Sequence, residues 1–246
     1  MGLKVFDGVL YNGEVDVLEC RLVELAEAVD LFVIVEGDKT FTGRPKERAP
    51  RERFAAWGDK LLWVDHETPT STNPWDVESA TRNHLFEVFE RQGVADGDVV
   101  TVCDADEIWH PSMVESFAQD WHAVHMRHLV FSVHWQGPTE VTCVGGPWGK
   151  RFDTADRLRR SHRQTMPWLF GGWHVAWMGG PKWCADKIRS FSHQEYNKGE
   201  VDADMVRCFS EAKFIDGLQL TESEIEADWP KWIVDGKHPT SWVWRK

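Results

Sequence analysis

Short apolar runs alternate with amphipathic segments along the first half of the chain. The apolar runs predict β-strands at residues 4–6, 31–35, 60–64 and 99–103. The amphipathic segments predict helices at residues 15–29, 51–57 and 74–91. Strands that alternate with helices are typical of a mainly parallel sheet with helices on both faces. We therefore expect an α/β fold of the Rossmann type.

The most informative segment is the apolar run Val-Val-Thr-Val-Cys, which ends in the acids Asp104, Asp106 and Glu107. A Val-rich run without polar breaks is typical of a strand buried on both faces, and ligands of open α/β sheets bind at the carboxyl ends of such strands. Two carboxylates in an Asp-x-Asp pattern can bind one divalent cation and leave positions open for phosphate oxygens. The pattern predicts a site for a metal and a nucleotide.

The second half of the chain is less regular, with a predicted helix from Pro111 and a long β segment at residues 122–135. On a strand, His122, His128 and His134 would share one face and His125 would point to the other. Zinc sites usually add Cys or a helical His-x-x-x-His pair, and neither accompanies this segment. We therefore do not expect these histidines to gather around a metal.

Composition narrows the class of protein. The 246 residues are 42% hydrophobic and carry a formal charge of −12, with no composition break that would separate domains. We expect one domain, with a nucleotide-binding half at residues 1–110 and a second half at residues 111–246. The negative charge argues against binding to a nucleic-acid backbone. A basic stretch is interpreted as a solvated helix or a loop near the nucleotide; it comprises Lys150, Arg151, Arg157, Arg159, Arg160 and Arg163.

The five cysteines are widely spaced and form no Cys-x-x-Cys pair, which predicts reduced, mostly buried thiols. No apolar stretch is long enough for a membrane span, and the first residues lack a secretory apolar region. We expect a cytoplasmic protein without a membrane partner.

Two later segments carry further candidate residues. A strand framed by glycine pairs, residues 171–180, contains His174, and the segment Ser-Phe-Ser-His-Gln-Glu places His193 two residues before Glu195. A histidine can complete a metal shell, and a carboxylate can take a proton from an attacking hydroxyl. The structural alternative is that His174 satisfies a buried polar group and that Glu195 lies on a solvated surface.

Tryptophan is unusually abundant, with 15 in the chain. Indole faces stack on sugar rings while the ring N–H donates to hydroxyls. Trp109, Trp173 and Trp177 lie near the suspected site in sequence and are candidate acceptor contacts. The tryptophans of the last 20 residues are expected to fold back on the domain, since exposed indoles would promote aggregation.

Taken together, these segments resemble glycosyltransferase family 17 from about Phe6 to Glu195. The matching blocks, in chain order, are residues 6–16, 18–19 and 21–22; residues 32–36 with Thr40, Gly43, Pro45 and Lys46; Trp75 with Glu78, Arg82 and Asn83; residues 104–108; residues 172–174 with 179–180; and Lys187 with residues 190–193 and Glu195.

The resemblance implies a GT-A-like, inverting transferase that uses a divalent metal, Mn²⁺ or Mg²⁺, to bind a nucleotide diphosphate sugar, with UDP-N-acetylglucosamine as the donor. It implies an acceptor hydroxyl on a glycan, a glycoprotein or another protein, or a small glycoside. Asp106 is the expected leading metal ligand, Asp104 contacts metal or ribose, Glu107 supports them, and His193 is assigned to the metal.

The resemblance also implies donor contacts and a catalytic base. Glu36 is the candidate for nucleoside recognition. The remaining donor contacts are Thr40, Lys46, Arg82, Asn83 and Lys187. Glu195 is the first candidate for the base, His174 the second and Asp186 the third.

Three other functions stay open at this point. A non-catalytic sugar- or nucleotide-binding module would keep the fold without turnover, and a metal-dependent nucleotide-sugar hydrolase would activate water at the same site. A transferase acting on modified DNA bases is disfavoured by the net charge. Animal members of the family carry a membrane anchor, so a chain without one suggests a bacterial or viral source.

Overall fold

One twisted sheet runs through the computed structural model, which describes residues 2–149 and 153–244, except for the side chains of residues 162–165. The strands are β1 (Val5–Tyr11), β2 (Leu31–Gly37), β3 (Leu61–His66), β4 (Val99–Asp104), β5 (Glu107–Ile108), β6 (His122–Val130), β7 (Trp135–Gln136), β8 (Glu140–Pro147), β9 (Trp168–Ala176) and β10 (Thr221–Glu222). Their main order across the sheet is β10-β7-β6-β8-β4-β1-β2-β3, and β9 pairs with both β5 and β6.

Helices cover the sheet. The α-helices are α1 (Val15–Leu25), α2 (Pro74–Arg91), α3 (Val114–Gln119), α4 (Ala155–Thr165), α5 (Pro181–Ser190), α6 (Val201–Glu211) and α7 (Lys231–Val234). Short 3₁₀ helices form at Arg51–Lys60, Pro111–Met113, Gln194–Tyr196 and Thr240–Trp242. No helix among the described residues is both long and apolar enough to cross a membrane.

The predicted α/β class is confirmed, and the pairing shows where the parallel arrangement stops. Strands β4, β1, β2 and β3 are parallel neighbours. Strand β8 then pairs antiparallel with both β4 and β6, so the second half of the sheet is mixed. The long β segment predicted at residues 122–135 is interrupted after β6, where Phe131 adopts a positive φ of 66°.

Alternate residues of the parallel strands enter two separate apolar layers. Val9 and Ile34 face α1, where Leu18 and Leu22 are fully buried. Leu10 and Val33 face α2 and pack with its apolar side chains. Because both faces are covered, the strands read in sequence as continuous apolar runs.

The C-terminal segment packs back on the domain, as expected from its tryptophans. Trp229, Trp232 and Trp242 are buried at 4% exposure or less, and they belong to the same apolar layer as α1. Trp244 keeps 36% of its surface exposed.

The cysteine prediction is wrong for one pair. Cys103 and Cys143 form a disulfide between β4 and β8, with Cα atoms 4.8 Å apart. The antiparallel register places Val102 opposite Val144, so the two cysteines, 40 residues apart in sequence, face each other. Sequence spacing alone does not reveal such a cross-strand neighbour. Cys20, Cys184 and Cys208 are free and buried, as expected.

A buried ion pair joins β1 to α1. The guanidinium of Arg21 donates to both carboxylate oxygens of Asp7, at 2.6 and 2.7 Å, and both side chains are fully buried. Asp7 also accepts from the Thr101 hydroxyl at 2.5 Å and the Trp109 indole N–H at 3.0 Å. Burial opposes ionisation, but Arg21 and these donors lower the pKa of Asp7. Asp7 is therefore a charged and fully bonded group inside the core.

Arg21→Met should lower the free energy of unfolding by about 3–5 kcal/mol, because it leaves the Asp7 carboxylate buried without its cation. The measurement is urea unfolding near neutral pH. Arg53→Met is the matched control, since Arg53 pairs with Asp16 and Glu19 at the surface and such pairs contribute about 0–1 kcal/mol. Equal losses in the two variants would contradict the assigned importance of the buried pair.

Candidate functional site

A cleft of about 730 Å³ opens at the carboxyl end of β4. Asp104, Asp106 and Glu107 all line it, as do side chains from α2, α4, α5, β6, β8 and β9. The sequence-based placement of the acids at a ligand-binding edge of the sheet therefore agrees with the geometry. The cleft has the size of pockets that bind small molecules.

Asp104 is held by two arginines. Its Oδ1 lies 3.1 Å from Nη2 of Arg82 on α2, and its Oδ2 lies 3.8 Å from Nη2 of Arg159 on α4. Desolvation in the cleft favours the neutral acid, but Arg82 and Arg159 outweigh it and lower the pKa of Asp104. Arg82 also contacts Glu78 at 2.5 Å and Asp156 at 3.0 Å. The guanidinium of Arg82 is therefore held in place beside the carboxyl end of β4.

Asp106 has a different set of partners. It is 7% exposed, and its Oδ2 lies 2.8 Å from Nζ of Lys187 on α5. Its Oδ1 lies 3.5 Å from Nε2 of His174 on β9. Burial raises the pKa of Asp106, but Lys187 and His174 lower it by more, so the group is anionic. Lys187 also reaches Glu14, at 3.7 Å.

Glu107 supports the turn that carries both aspartates. It is 2% exposed; its Oε2 accepts the backbone N–H of Asp104 at 2.9 Å, and its Oε1 contacts Arg159. Burial raises the pKa of Glu107 to about 7, against the effect of Arg159. On the opposite side of the turn, Arg21 donates to the carbonyl of Glu107 at 2.5 Å. Contacts of the Glu107 side chain and of the Glu107 carbonyl thus both hold the turn in place.

Gly172 lets β9, the strand that carries His174, pack closely against the turn that carries Asp106 and Glu107. It has φ +90°, and a Cβ at this position would lie 2.5 Å from the carbonyl oxygen of Ile108. The approaching group is β5, which pairs Glu107 with His174 and Ile108 with Trp173. Substitution by any larger residue would push the strands apart.

His174 lies between two carboxylates. Its Nδ1 is 2.9 Å from Oε2 of Glu140 on β8, in addition to the Asp106 contact. Burial favours the neutral ring, but Asp106 and Glu140 raise the pKa of His174 to about 10. The imidazole is therefore protonated near neutral pH in the metal-free protein, which is unfavourable for the role of catalytic base.

His128 on β6 joins His174 and Glu140 in one cluster. The two rings are stacked, with centroids 4.6 Å apart and planes at 10°. Potential ligand atoms of the three residues all lie within 4.8 Å of one another. The sequence predicted no metal role for the histidines of residues 122–135, but His128 meets partners from two other strands. The alternation of residues along one strand cannot predict contacts with residues of other strands.

Two of the predicted donor contacts, Glu36 and Lys46, have structural partners outside the cleft. Glu36 is fully buried, where it accepts the Ala49 N–H at 2.7 Å and pairs with Arg51 at 2.9 Å. The Lys46 ammonium donates to the carbonyl of Tyr11 at 3.0 Å. Glu36 and Lys46 are not among the residues that line the cleft.

Two further candidates have structural contacts next to the cleft. Asn83 accepts the backbone N–H of Asp156 at 2.8 Å and so fixes the start of α4. Thr40 lines a smaller pocket of about 250 Å³, to which Lys187 and Asp186 also contribute.

His193 and Glu195 lie together at the rim. Nδ1 of His193 is 2.5 Å from Oε1 of Glu195, and the His193 ring packs edge-on against Trp75. His193 lines the cleft, whereas Glu195 is 52% exposed and does not. Asp106 pairs with Lys187 and His174, whereas His193 pairs with Glu195 and does not join the carboxylate pair.

The acceptor assignment is wrong for two of the three tryptophans. Trp109 is fully buried and donates to Asp7, and Trp173 is 3% exposed in the same apolar layer. Their indoles were near the site in sequence but face the core. Trp177 does line the cleft, and Nζ of Lys187 lies 5.6 Å from its ring centroid.

The basic stretch contributes a cleft residue that the sequence did not single out. Arg159 contacts Asp104 and Glu107, whereas Arg157 is 72% exposed and pairs with Asp153 on the surface. Lys150 and Arg151, together with the side chain of Arg163, lie outside the described residues. The cluster of basic residues in the sequence is the pattern that could have indicated Arg159 as a site residue. No comparable sequence pattern indicated Glu140 or His128.

Fold and site together define an α/β protein with a cleft of paired acids and bases at the carboxyl edge of its sheet. The sequence profile of glycosyltransferase family 17 matches residues 2–203, and the chain belongs to this family. The predicted resemblance is confirmed.

Curated relatives carry a more specific name. Beta-1,4-mannosyl-glycoprotein 4-beta-N-acetylglucosaminyltransferases from Homo sapiens and Mus musculus are each 26% identical to the chain over 239 residues. The alignments cover 78% of this chain and 44% of each relative, so the chain spans less than half the length of these relatives.

Solved structures show only a distant likeness. An inositol-1-phosphate CTP transferase from T. maritima has a TM-score of 0.40 at 9% identity, covering 83% of this chain and 97% of that one. The apo-form glycosyltransferase GlyE of Streptococcus pneumoniae has a TM-score of 0.30 at 10% identity, covering 89% of this chain and 44% of that one. Both scores are low, and neither likeness bears on the function.

In protein freed of metal, His174 should remain an imidazolium at about pH 8, where an ordinary histidine is neutral. Its stabilising charge is fully present below about pH 6.5 and is lost as the pH rises through a pKa of about 10. Nitrogen-15 NMR of the ring measures this directly. Asp106→Asn should lower the titration midpoint, and a wild-type midpoint at the ordinary histidine value would contradict the assigned pairing.

Proposed function

We propose that the protein transfers a sugar from a nucleotide diphosphate donor to an acceptor hydroxyl, with inversion at the sugar carbon. The observation that supports this most strongly is the set of three cationic side chains that contact the carboxylate pair. Arg82, Arg159 and Lys187 come from three different helices and converge on Asp104 and Asp106. Guanidinium and ammonium groups bind phosphate oxygens, so the same cations can hold a diphosphate in the cleft.

The proposed donor is UDP-N-acetylglucosamine, and the acceptor is a hydroxyl on a glycan, a protein or a small glycoside. The sugar is suggested by the name of the curated relatives, which are N-acetylglucosaminyltransferases. Trp177 is the remaining indole candidate for stacking on a sugar, because it lines the cleft.

The donor set is compatible with a divalent metal, Mn²⁺ or Mg²⁺. Both aspartates line the cleft, and the Asp104 side chain keeps 39% of its surface exposed, so an oxygen is accessible. Carboxylate oxygens are the ligands that these hard cations prefer. Asp104 and Asp106 would hold the cation, which would neutralise charge on the leaving nucleotide when bound.

His193 is the proposed base, and Glu195 orients it. In the tautomer that donates Nδ1–H to Glu195, Nε2 is left as a proton acceptor, and His193 is the member of the pair that lines the cleft. The resemblance implied Glu195 as the base and His193 as a metal ligand; in this proposal His193 is the base and Glu195 orients it. His174 is less suitable, because the raised pKa keeps its ring protonated.

Asp106→Asn should abolish the metal-dependent rise in melting temperature that UDP-N-acetylglucosamine produces with Mn²⁺ in the wild type. Binding to the folded state stabilises it by about 2.7 kcal/mol at a hundredfold excess of ligand over its Kd. Asp59→Asn is the matched control, because Asp59 is exposed in the 3₁₀ segment Arg51–Lys60. An undiminished shift in the Asp106 variant would contradict its role in donor binding.

His193→Ala should slow acceptor-dependent release of UDP by roughly 10²–10⁴-fold, the usual contribution of a general base, while leaving the donor-induced thermal shift intact. His238→Ala serves as the control, since His238 lies in the C-terminal segment outside the cleft lining. Wild-type UDP release that is unaffected by any sugar acceptor would favour the hydrolase alternative. Donor binding with no release at all would favour a non-catalytic module.

A further inference from the structure

The second ionisable cluster of the cleft lies on the sheet itself, away from the arginines. The parallel register of β6 and β9 places His128 directly opposite His174, so the two side chains are neighbours on one face. Glu140 is the first residue of β8, and it pairs with Met126 on the other side of β6. Three adjacent strands therefore contribute one side chain each to the same point of the cleft wall.

His128 has unsatisfied polar atoms. It is 7% exposed, and neither of its buried ring nitrogens has a hydrogen-bond partner among the described residues. Leaving a buried polar group without a partner costs about 1–3 kcal/mol. The nearest charged atom is Oε1 of Glu140, 3.4 Å from Nδ1 of His128. The ring is thus aimed at a carboxylate without a hydrogen bond between them.

The spacing fits a cation between these groups. A tetrahedral site with ligand bonds of about 2.0–2.1 Å separates its ligand atoms by about 3.4 Å. Oε1 of Glu140 lies 3.4 Å from Nδ1 of His128, and Oε2 lies 2.9 Å from Nδ1 of His174. Because the two imidazole rings are stacked with their planes at 10°, one ring must turn for both to point a nitrogen at the same ion. All three residues line the cleft, so an ion held by them would be accessible from the cleft.

We propose that His128, Glu140 and His174 form a binding site for a divalent first-row transition metal, separate from the Asp104–Asp106 pair. Two imidazoles and one carboxylate suit Zn²⁺, Co²⁺, Mn²⁺ or Fe²⁺, whereas Mg²⁺ and Ca²⁺ prefer sites built only of oxygen. His174 binds the metal as the neutral ring, so its proton is released to solvent as the nitrogen–metal bond forms. The site does not require the protein to transfer sugars.

Co²⁺ tests the site without any nucleotide sugar. The full chain, freed of metal with chelator, is titrated with Co²⁺ and followed by visible absorption and calorimetry. Wild type should bind with the absorption of nitrogen-ligated Co²⁺, and His128→Ala should weaken binding by more than about 100-fold, because loss of even an outer-shell partner costs about 10–100-fold. His128→Gln provides a second variant of closer volume if the alanine variant does not fold.

Two controls locate the ion. His125→Ala removes another histidine of β6, one that packs against Phe170 rather than in the cleft, and Asp104→Asn alters the carboxylate pair. Both variants should retain Co²⁺ binding. The proposal is overturned if wild type binds no Co²⁺, if both His128 variants bind as wild type does, or if Asp104→Asn alone removes binding. Nucleotide-sugar binding, measured separately by thermal shift, distinguishes failure of this site from failure of the proposed function.

Discussion

The bidentate pair between Arg21 and Asp7 is the constraint on which the site depends. Asp7 on β1 is bonded in the core to Thr101 on β4 and to Trp109, while the same guanidinium of Arg21 reaches the carbonyl of Glu107. One buried cation therefore joins the first strand, the first helix and the turn that carries Asp106. A charge inside the core is tolerated only when fully paired, and this pairing fixes the turn without using the carboxylates that face the cleft.

The cleft itself is organised by charge compensation between distant segments. The chain carries a net charge of −12, yet each aspartate of the pair is matched by cations from helices that lie far from it in sequence. Asp104 is matched by arginines, which favour planar phosphate recognition, and Asp106 by an ammonium and an imidazolium. The two ends of the carboxylate pair thus present different chemistry to a ligand.

Much of the fold and the centre of the site could be predicted from sequence, because these features are local. Apolar runs mark strands whose two faces are covered, and Asp104 and Asp106 follow such a run directly. The failures concern residues whose surroundings are set by strand order. Trp109 is next to the acids in sequence but points into the core, Cys143 lies opposite Cys103 only through the antiparallel register, and Glu140 reaches His174 across β6. One sequence does not contain the pairing of strands, so it could not predict these contacts.

The separation in sequence between Asp106 and its partners has a consequence for biosynthesis. Lys187 follows Asp106 by 81 residues, and Arg159 follows Glu107 by 52. As the chain leaves the ribosome, Arg82 is already present when Asp104 is made, but Asp106 is complete long before His174 and Lys187 exist. The cleft therefore cannot assume this compensated form until α5 has emerged and docked. Ligand binding is then acquired late in synthesis, and shorter nascent chains present Asp106 uncompensated.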